Sequence, residues 1–261
     1  MIELDENVIR LISAKASKIK TYTGRQLKEA ILKSEGRVLM GQTYLKNPIL
    51  FPNCTSTELM FAFGGDMVML NGFDFRHPST CPGLQGFDYQ GIKNLVGGRP
   101  VGIYMGCPKE GLDITSDYLY DLSGMICTEE NLKKCKEWGV SFIVLGGNPG
   151  SGTSIKDVVH WTKKAREICG DDMLIFAGKW EDGINEKVLG DPLANYDAKE
   201  IIKELIDAGV DCIDLPAPGS RHGISVDMIR ELVEYIHSYK PGTLAMTFLN
   251  SSVECADPAT I

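Results

Sequence analysis

The chain has 261 residues, 43% apolar and 24% charged, with 27 Lys and Arg against 35 Asp and Glu for a formal charge of −8 at pH 7. Acids and bases are mixed along it, so there is no basic stripe to neutralise a phosphate backbone, and nucleic acid is not an expected partner. The amino-terminal run MIELDENVIRLISAKASKIK alternates charged and apolar residues, and no later stretch reaches about 18 apolar residues; both features read against a signal peptide or a membrane span and predict a cytoplasmic protein.

In chain order, residues 1–36 read as an N-terminal helical segment, in which GRQLKEAILKSE (24–35) forms a helix suited to capping the lower end of a barrel. Residues 37–261 then alternate short apolar runs with helical patterns as one domain. Strands are predicted at 38–42, 67–71, 101–105, 142–146, 173–178, 211–215 and 243–247. Thr55-x-x-Glu58 and Ser154-x-x-Asp157 carry the capping-box pattern, and Ser225 precedes the amphipathic run VDMIRELVEYIHSYK. Leu132, Cys135 and Trp138 share a face of the helix before the fourth strand, as Ile201, Ile202, Leu205, Ile206 and Ala208 do before the sixth.

Three segments repeat one grammar of helix, glycine and buried strand: Gly65 to Asn71, Gly139 to Gly146 (GVSFIVLG) and Gly209 to Pro216 (GVDCIDLP). Successive strands begin 29 to 41 residues apart, about one βα unit each. The fold class is therefore α/β, a TIM (β/α)₈-type barrel. An eighth strand is expected about one unit beyond Ile261, so the barrel reads as truncated after its seventh strand, with an open seam between strands one and seven. A doubly wound open sheet uses the same alternation, but no G-x-G-x-x-G follows the first strand. The eight cysteines include no C-x-x-C pair and read as reduced core or loop residues; Cys107, beside Pro108 after a strand, is the one considered as a nucleophile.

The strings SEGRVLMGQ, FGGDMVMLNGFD, GGRPVGI, GGNPGSGTS and AGK, followed by DLPAPGS, resemble an uncharacterised bacterial family of TIM-barrel proteins over residues 24–261. Its members are often labelled haloacid-dehalogenase-like hydrolases and are distantly similar to barrels of the phosphoenolpyruvate hydrolase and mutase type. The dehalogenase label finds no support in the residues. Its chemistry needs a strand ending in D-x-D, whereas the strand ends here read Leu70-Asn71-Gly72-Phe73-Asp74 and Ile213-Asp214-Leu215-Pro216.

Barrel active sites lie at the carboxyl ends of the strands. Alternation assigns Val68, Ile143 and Ile213, with Leu70, Leu145 and Leu215, to the face beneath the helices. The opposite parity holds Met69, Val144 and Asp214, then Asn71, Gly146 and Pro216, which puts the Asp214 carboxylate near the barrel mouth. A buried carboxylate needs a cation, a metal or donors, and Lys179 at the end of the fifth strand is the nearest candidate, as catalytic partner or as a structural ion pair. Asn71 completes the catalytic candidates. For an anion, the glycine-rich stretch containing Gly147, Asn148, Gly150, Ser151 and Gly152 can present backbone amides or be a plain turn, with Arg76 and Arg221 as cationic clamps and His77 beside the former. Asp74, Glu181, Asp182 and Asp214 are possible oxygen ligands for Mg²⁺, the ion that the resemblance to phosphoenolpyruvate-type barrels implies, and no His/Cys spacing suggests zinc.

The resulting expectation is an enzyme for a small anionic metabolite, a phosphorylated or carboxylated keto compound, using lyase, hydrolase or isomerase chemistry at the mouth. The alternative is a non-catalytic barrel that senses a metabolite or binds a partner. By analogy with other barrels, a homo-oligomer is possible.

Overall fold

The computed structural model describes residues 4–109, 124–147, 153–178, 197–218 and 224–248. Seven strands form one all-parallel sheet: β1 Met40–Tyr44, β2 Met67–Asn71, β3 Val101–Gly106, β4 Phe142–Gly146, β5 Leu174–Ala177, β6 Cys212–Pro216 and β7 Leu244–Phe248. Their spatial order is their sequence order, β1 to β7, with no reversal at a switch point. This is a curled barrel wall and not a doubly wound sheet. Short helices α1 Ala16–Ile19 and α2 Gly24–Leu32 precede the sheet. The connections carry α3 Ser56–Ala62, α4 Tyr89–Leu95, α5 Glu129–Glu137, α6 Ile155–Cys169, α7 Ala198–Asp207 and α8 Val226–Tyr239. Among the described residues no helix is long and apolar enough to cross a membrane.

The first strand begins two residues later than its apolar run suggests. Leu39 gives its amide to the Asp66 carboxylate at 2.9 Å and stays 66% exposed, so the ladder opens at Met40 opposite Met67 and runs through the polar Gln42 and Thr43. The helix starts follow the sequence closely. Thr55 with Glu58 and Ser154 with Asp157 form complete capping boxes, Thr23 with Gln26 forms a third, and Ser225 accepts from the Met228 amide.

The repeated glycine has one physical cause. At the end of α5 the Gly139 amide bonds to the Lys136 carbonyl and the Val140 amide to Cys135; at the end of α7, Gly209 and Val210 bond to Ile206 and Leu205. Both glycines sit at positive φ, +62° and +98°. This crossed pair of bonds satisfies two orphan carbonyls and reverses the chain into the next strand, a step that a side chain at that residue would strain. Gly64 and Gly65 close α3 with the same two bonds.

Alternation then sorts the core. Val68, Leu70, Ile143, Leu145, Ile213 and Leu215 pack outward with helix residues such as Leu132, Val158, Ile202 and Leu232. Met67, Met69, Phe142, Val144, Leu174 and Phe176 pack inward, joined by Val8, Leu11, Leu27 and Ala30 from the N-terminal segment. The inward rings need room: a Cβ on Gly102 would lie 2.3 Å from the Phe142 ring, which itself meets Phe176 with centroids 5.3 Å apart.

At the lower end Asp211, just before β6, ties three elements together. Its carboxylate accepts from Lys28 of α2 at 3.0 Å, from the Ile175 amide of β5 at 3.1 Å, and from Arg166 of α6. Arg166 also donates to the Gly209 carbonyl at 2.9 Å. Removing the carboxylate takes the acceptor from Lys28 and the Ile175 amide and one of several from Arg166, so Asp211→Ala is expected to cost roughly 3 kcal/mol of stability. Urea denaturation with an unchanged slope is the measurement; a loss below about 0.5 kcal/mol, ordinary for an exposed surface change, contradicts the tie.

Candidate functional site

The mouth is built from the carboxyl ends of the strands, where the inward parity reaches residues that the packed layers below do not contain. Asp214 stands on β6 between the inward Cys212 and Pro216, opposite Met246 of β7, and is 6% exposed. Beneath it lie Val144, Phe176 and Cys212, all buried. Burial, and then the nearby carboxylates of Asp214 and Asp211, push the Cys212 thiol well above its ordinary value, which keeps it protonated. Asn71 ends β2 on the same inward parity, half-buried and opposite Tyr44, and its carbonyl accepts from the Leu45 amide at 2.9 Å.

After β2 the chain turns through Phe73 and Phe75, buried against Trp138 of α5; Phe75 stacks on Trp138 at 5.8 Å and Phe73 meets it edge-on at 6.1 Å. Asp74 between them is the hub of this loop. Its Oδ1 accepts from the amides of Arg76 at 2.9 Å and His77 at 3.4 Å and lies 3.5 Å from Arg76 Nε. A Cβ on Gly124 would sit 2.0 Å from that oxygen, so the returning chain is held hard against it. Burial alone would raise the Asp74 carboxyl, but the Arg76 amide and guanidinium and the His77 amide outweigh it and hold the group below 3.8. Arg76 is therefore engaged with Asp74, and His77 is exposed.

Sequence reasoning missed Tyr104. It lies inside the apolar run of β3, and only its inward parity marks it. The hydroxyl donates to the Gly147 carbonyl at 3.1 Å, at the point where β4 leaves the sheet. Cys107 is a free, fully buried cysteine whose carbonyl accepts from Thr153 at 2.7 Å, a setting suited to packing and not to attack on a substrate. At the start of α6 the Asp157 amide is taken by the Ser154 hydroxyl.

Lys179, Asn148, Gly150, Ser151, Gly152, Glu181, Asp182 and Arg221 lie outside the described residues. Among the described residues no three His, Cys, Asp or Glu side chains gather so as to hold a metal ion. A cavity of about 340 Å³ lies at the opposite, lower end, lined in part by Arg25, Lys28, Arg166 and Asp211. Its charges include the ion pairs that tie α2 and α6 to Asp211.

The chain belongs to the family described as Domain of unknown function (DUF7916), which matches residues 12–261. That description carries no haloacid-dehalogenase name. No curated protein matches the sequence. Among solved structures, the chain is similar to the carboxyl transferase domain from Rhizobium etli pyruvate carboxylase, with TM-score 0.52 and 10% identity over 94% of this chain and 40% of that one. It is also similar to thiamine phosphate pyrophosphorylase from Pyrococcus furiosus, with TM-score 0.44 and 10% identity over 87% of this chain and 80% of that one. At such identities the first likeness speaks for the fold alone.

The lowered Asp74 carboxyl makes a pH-dependent prediction. A depressed folded value means that the carboxylate contributes fully above 3.8 and that its contribution is lost as pH falls through the folded value. Asp74→Asn is expected to be less stable than the parent by roughly 1 kcal/mol at neutral pH, with the gap closing in acid. Paired urea melts at about pH 7 and about pH 3 read this; a gap of constant size shows that the charge plays no part.

Proposed function

We propose that this member of the DUF7916 family is an enzyme acting at the barrel mouth on a small anionic metabolite, a phosphorylated or carboxylated keto compound. The observation that carries the reading is Asp214, a carboxylate 6% exposed on an inward position above a floor of Val144, Phe176 and Cys212. Placing a carboxylate there costs several kcal/mol of desolvation, an expense that a fold without a task for it avoids by using an apolar residue, as the corresponding Val144 of the β4 repeat does one ladder level lower.

Within this proposal Asp214 acts as general base or charge-stabilising group and Lys179 as its cationic partner, electrophile or Schiff-base amine. Lys179 is the residue after Gly178 in the sequence, and the Ala177–Ile213 pairing of β5 with β6 is what supports assigning it to Asp214. Asn71 orients a carbonyl or carboxylate. Gly147 begins the stretch that supplies anion contacts with Asn148, Gly150, Ser151 and Gly152, and Arg221 or Arg76 adds positive charge. Lyase, hydrolase and isomerase steps all draw on this set. If Mg²⁺ takes part, Asp214 and Glu181 are the ligands we assign to it, since Asp74 is already committed to its own loop.

Thermal-shift screening against keto acids and sugar phosphates, followed by turnover assays on the hits, tests the reading. Asp214→Asn and Lys179→Met are expected to lower turnover by about 100-fold or more while the melting temperature stays within about 3 °C of the parent. Variants that melt lower yet keep the activity of their folded fraction show a structural pair instead. Binding without turnover in the parent favours the metabolite-sensing alternative.

A further inference from the structure

A second cleft, of about 190 Å³, opens at the lower end of the wall, where the start of α2 lies beside the ends of α4 and α5. Every residue that lines it is among the described ones, and they include Lys20, Lys93, Gly98 and Gly139. Lys93 stands half-buried in the last turn of α4. Its Nζ donates to the Gly139 carbonyl, just past the end of α5, and sits 5.9 Å from the centroid of the buried Tyr89 ring. Lys20 lays its stem against Gly98, where an added Cβ would come 2.5 Å from that of the lysine.

Lys93 stands apart from the other lysines. Lys28, Lys33, Lys134, Lys156, Lys164 and Lys199 are the other half-buried ones among the described residues, and each forms an ion pair with a carboxylate. Lys93 forms none, in a chain whose net charge is −8. A carbonyl dipole and a ring face leave its positive charge uncancelled, and burial lowers its pKa from the ordinary lysine value. Asp172 is the one carboxylate on the lining; it is exposed and pairs with neither Lys93 nor Lys20. The cleft thus gathers two cations that no acidic side chain neutralises.

We propose that this cleft binds a small oxyanion of phosphate size as the counter-ion of Lys93, with Lys20 as its second cationic contact. A volume of about 190 Å³ falls below the roughly 300–1,000 Å³ of pockets that enclose a whole metabolite, which selects the free ion over a phosphorylated compound. The bound ion joins the segment before α2 to the ends of α4 and α5. Leu27, which also lines the cleft, belongs to the inward core, so the ion fastens the N-terminal segment to the wall at the end opposite the mouth. Its effect is on the seating of that segment, and the chemical step is assigned to others.

Inorganic phosphate is the probe, titrated at constant ionic strength against a chloride control and followed through the amide signals of the isotope-labelled chain. Saturable shifts are expected at Gly98, Gly139 and Ser141, which line the cleft, and none from chloride. Lys93→Met keeps the stem and is expected to weaken phosphate about 10-fold or more, the scale of a hydrogen bond to a charged group. Lys20→Met is expected to weaken it about threefold, and Lys133→Met, on the exposed face of α5, to leave it within about twofold. Circular dichroism confirms that each variant is folded; should Lys93→Met fail to fold, Lys20→Met carries the same decision. Shifts confined to mouth residues such as Gly106 overturn this inference and leave the mouth reading standing. Absence of saturable shifts, or an affinity unchanged in the folded variants, shows that Lys93 only anchors α4 to the turn at Gly139, and overturns it as well. Glycerol phosphate binding as tightly as phosphate at the same signals overturns the choice of the free ion.

Discussion

In an all-parallel sheet each strand must be covered on both faces, since crossover helices roof one side and the curl of the wall encloses the other. The constraint leaves the middle of every strand apolar whichever way a residue points. Outward stand Val68, Ile143 and Ile213; inward stand Met69, Phe142 and Phe176. A slip of one residue would exchange the two sets, so register is fixed by the mismatch between branched aliphatic side chains under the helices and large flexible or aromatic ones inside. Polar chemistry is thereby driven to the two rims, and the rims differ in what they do with it.

The lower rim spends its carboxylates on the backbone. Asp66 and Asp211 hold equivalent places just before β2 and β6 and each accepts the amide of the strand to one side, Leu39 and Ile175. Ser141, at the same place before β4, has no carboxylate; its own amide bonds to the Val101 carbonyl and the Tyr89 hydroxyl. Before β2, β4 and β6 the rim is thus closed by a locally available polar group. On the upper rim Asp214 stands at an inward ladder position where the strand's own backbone is already paired, and glycines replace side chains around it. The same residue type thus stands in two different settings, before the strand at one end of the wall and within the ladder at the other.

Much of this was legible because it is local. Short apolar runs located seven strands, helix-terminal glycines marked three of the turns into them, and cap residues three positions from their partners can be read off the chain. What escaped were features whose cause is distant or shared. Val38 and Leu39 form an apolar run that reads as strand, yet the Asp66 carboxylate holds the Leu39 amide and moves the start of β1. Asp211 and Asp214 stand within one short string, and parity alone identified the inward one; the role of Asp211 depends on Lys28 and Arg166, far away in sequence. Tyr104 was hidden by apolar neighbours, since what seats its ring is the absence of a side chain at Gly146 of β4. Asp74 looked like a candidate metal ligand, and its two nearest amides, both within three residues, were the overlooked clue.

The bond from Lys28 to Asp211 spans 183 residues of chain. Val8, Leu11, Leu27 and Ala30 bury themselves against side chains from β2, β4, β5, β6 and β7, so most of their partners are made long after they are. On the ribosome, the first helical segment must wait through most of translation with its apolar face uncovered, while the early βα units form without their plug. Contacts of such separation raise contact order and slow folding, because loop closure is paid for before the contact returns anything. Contacts of such sequence separation are thus completed late, and the interval before they form is when an emerging chain most needs a chaperone to shield its apolar face.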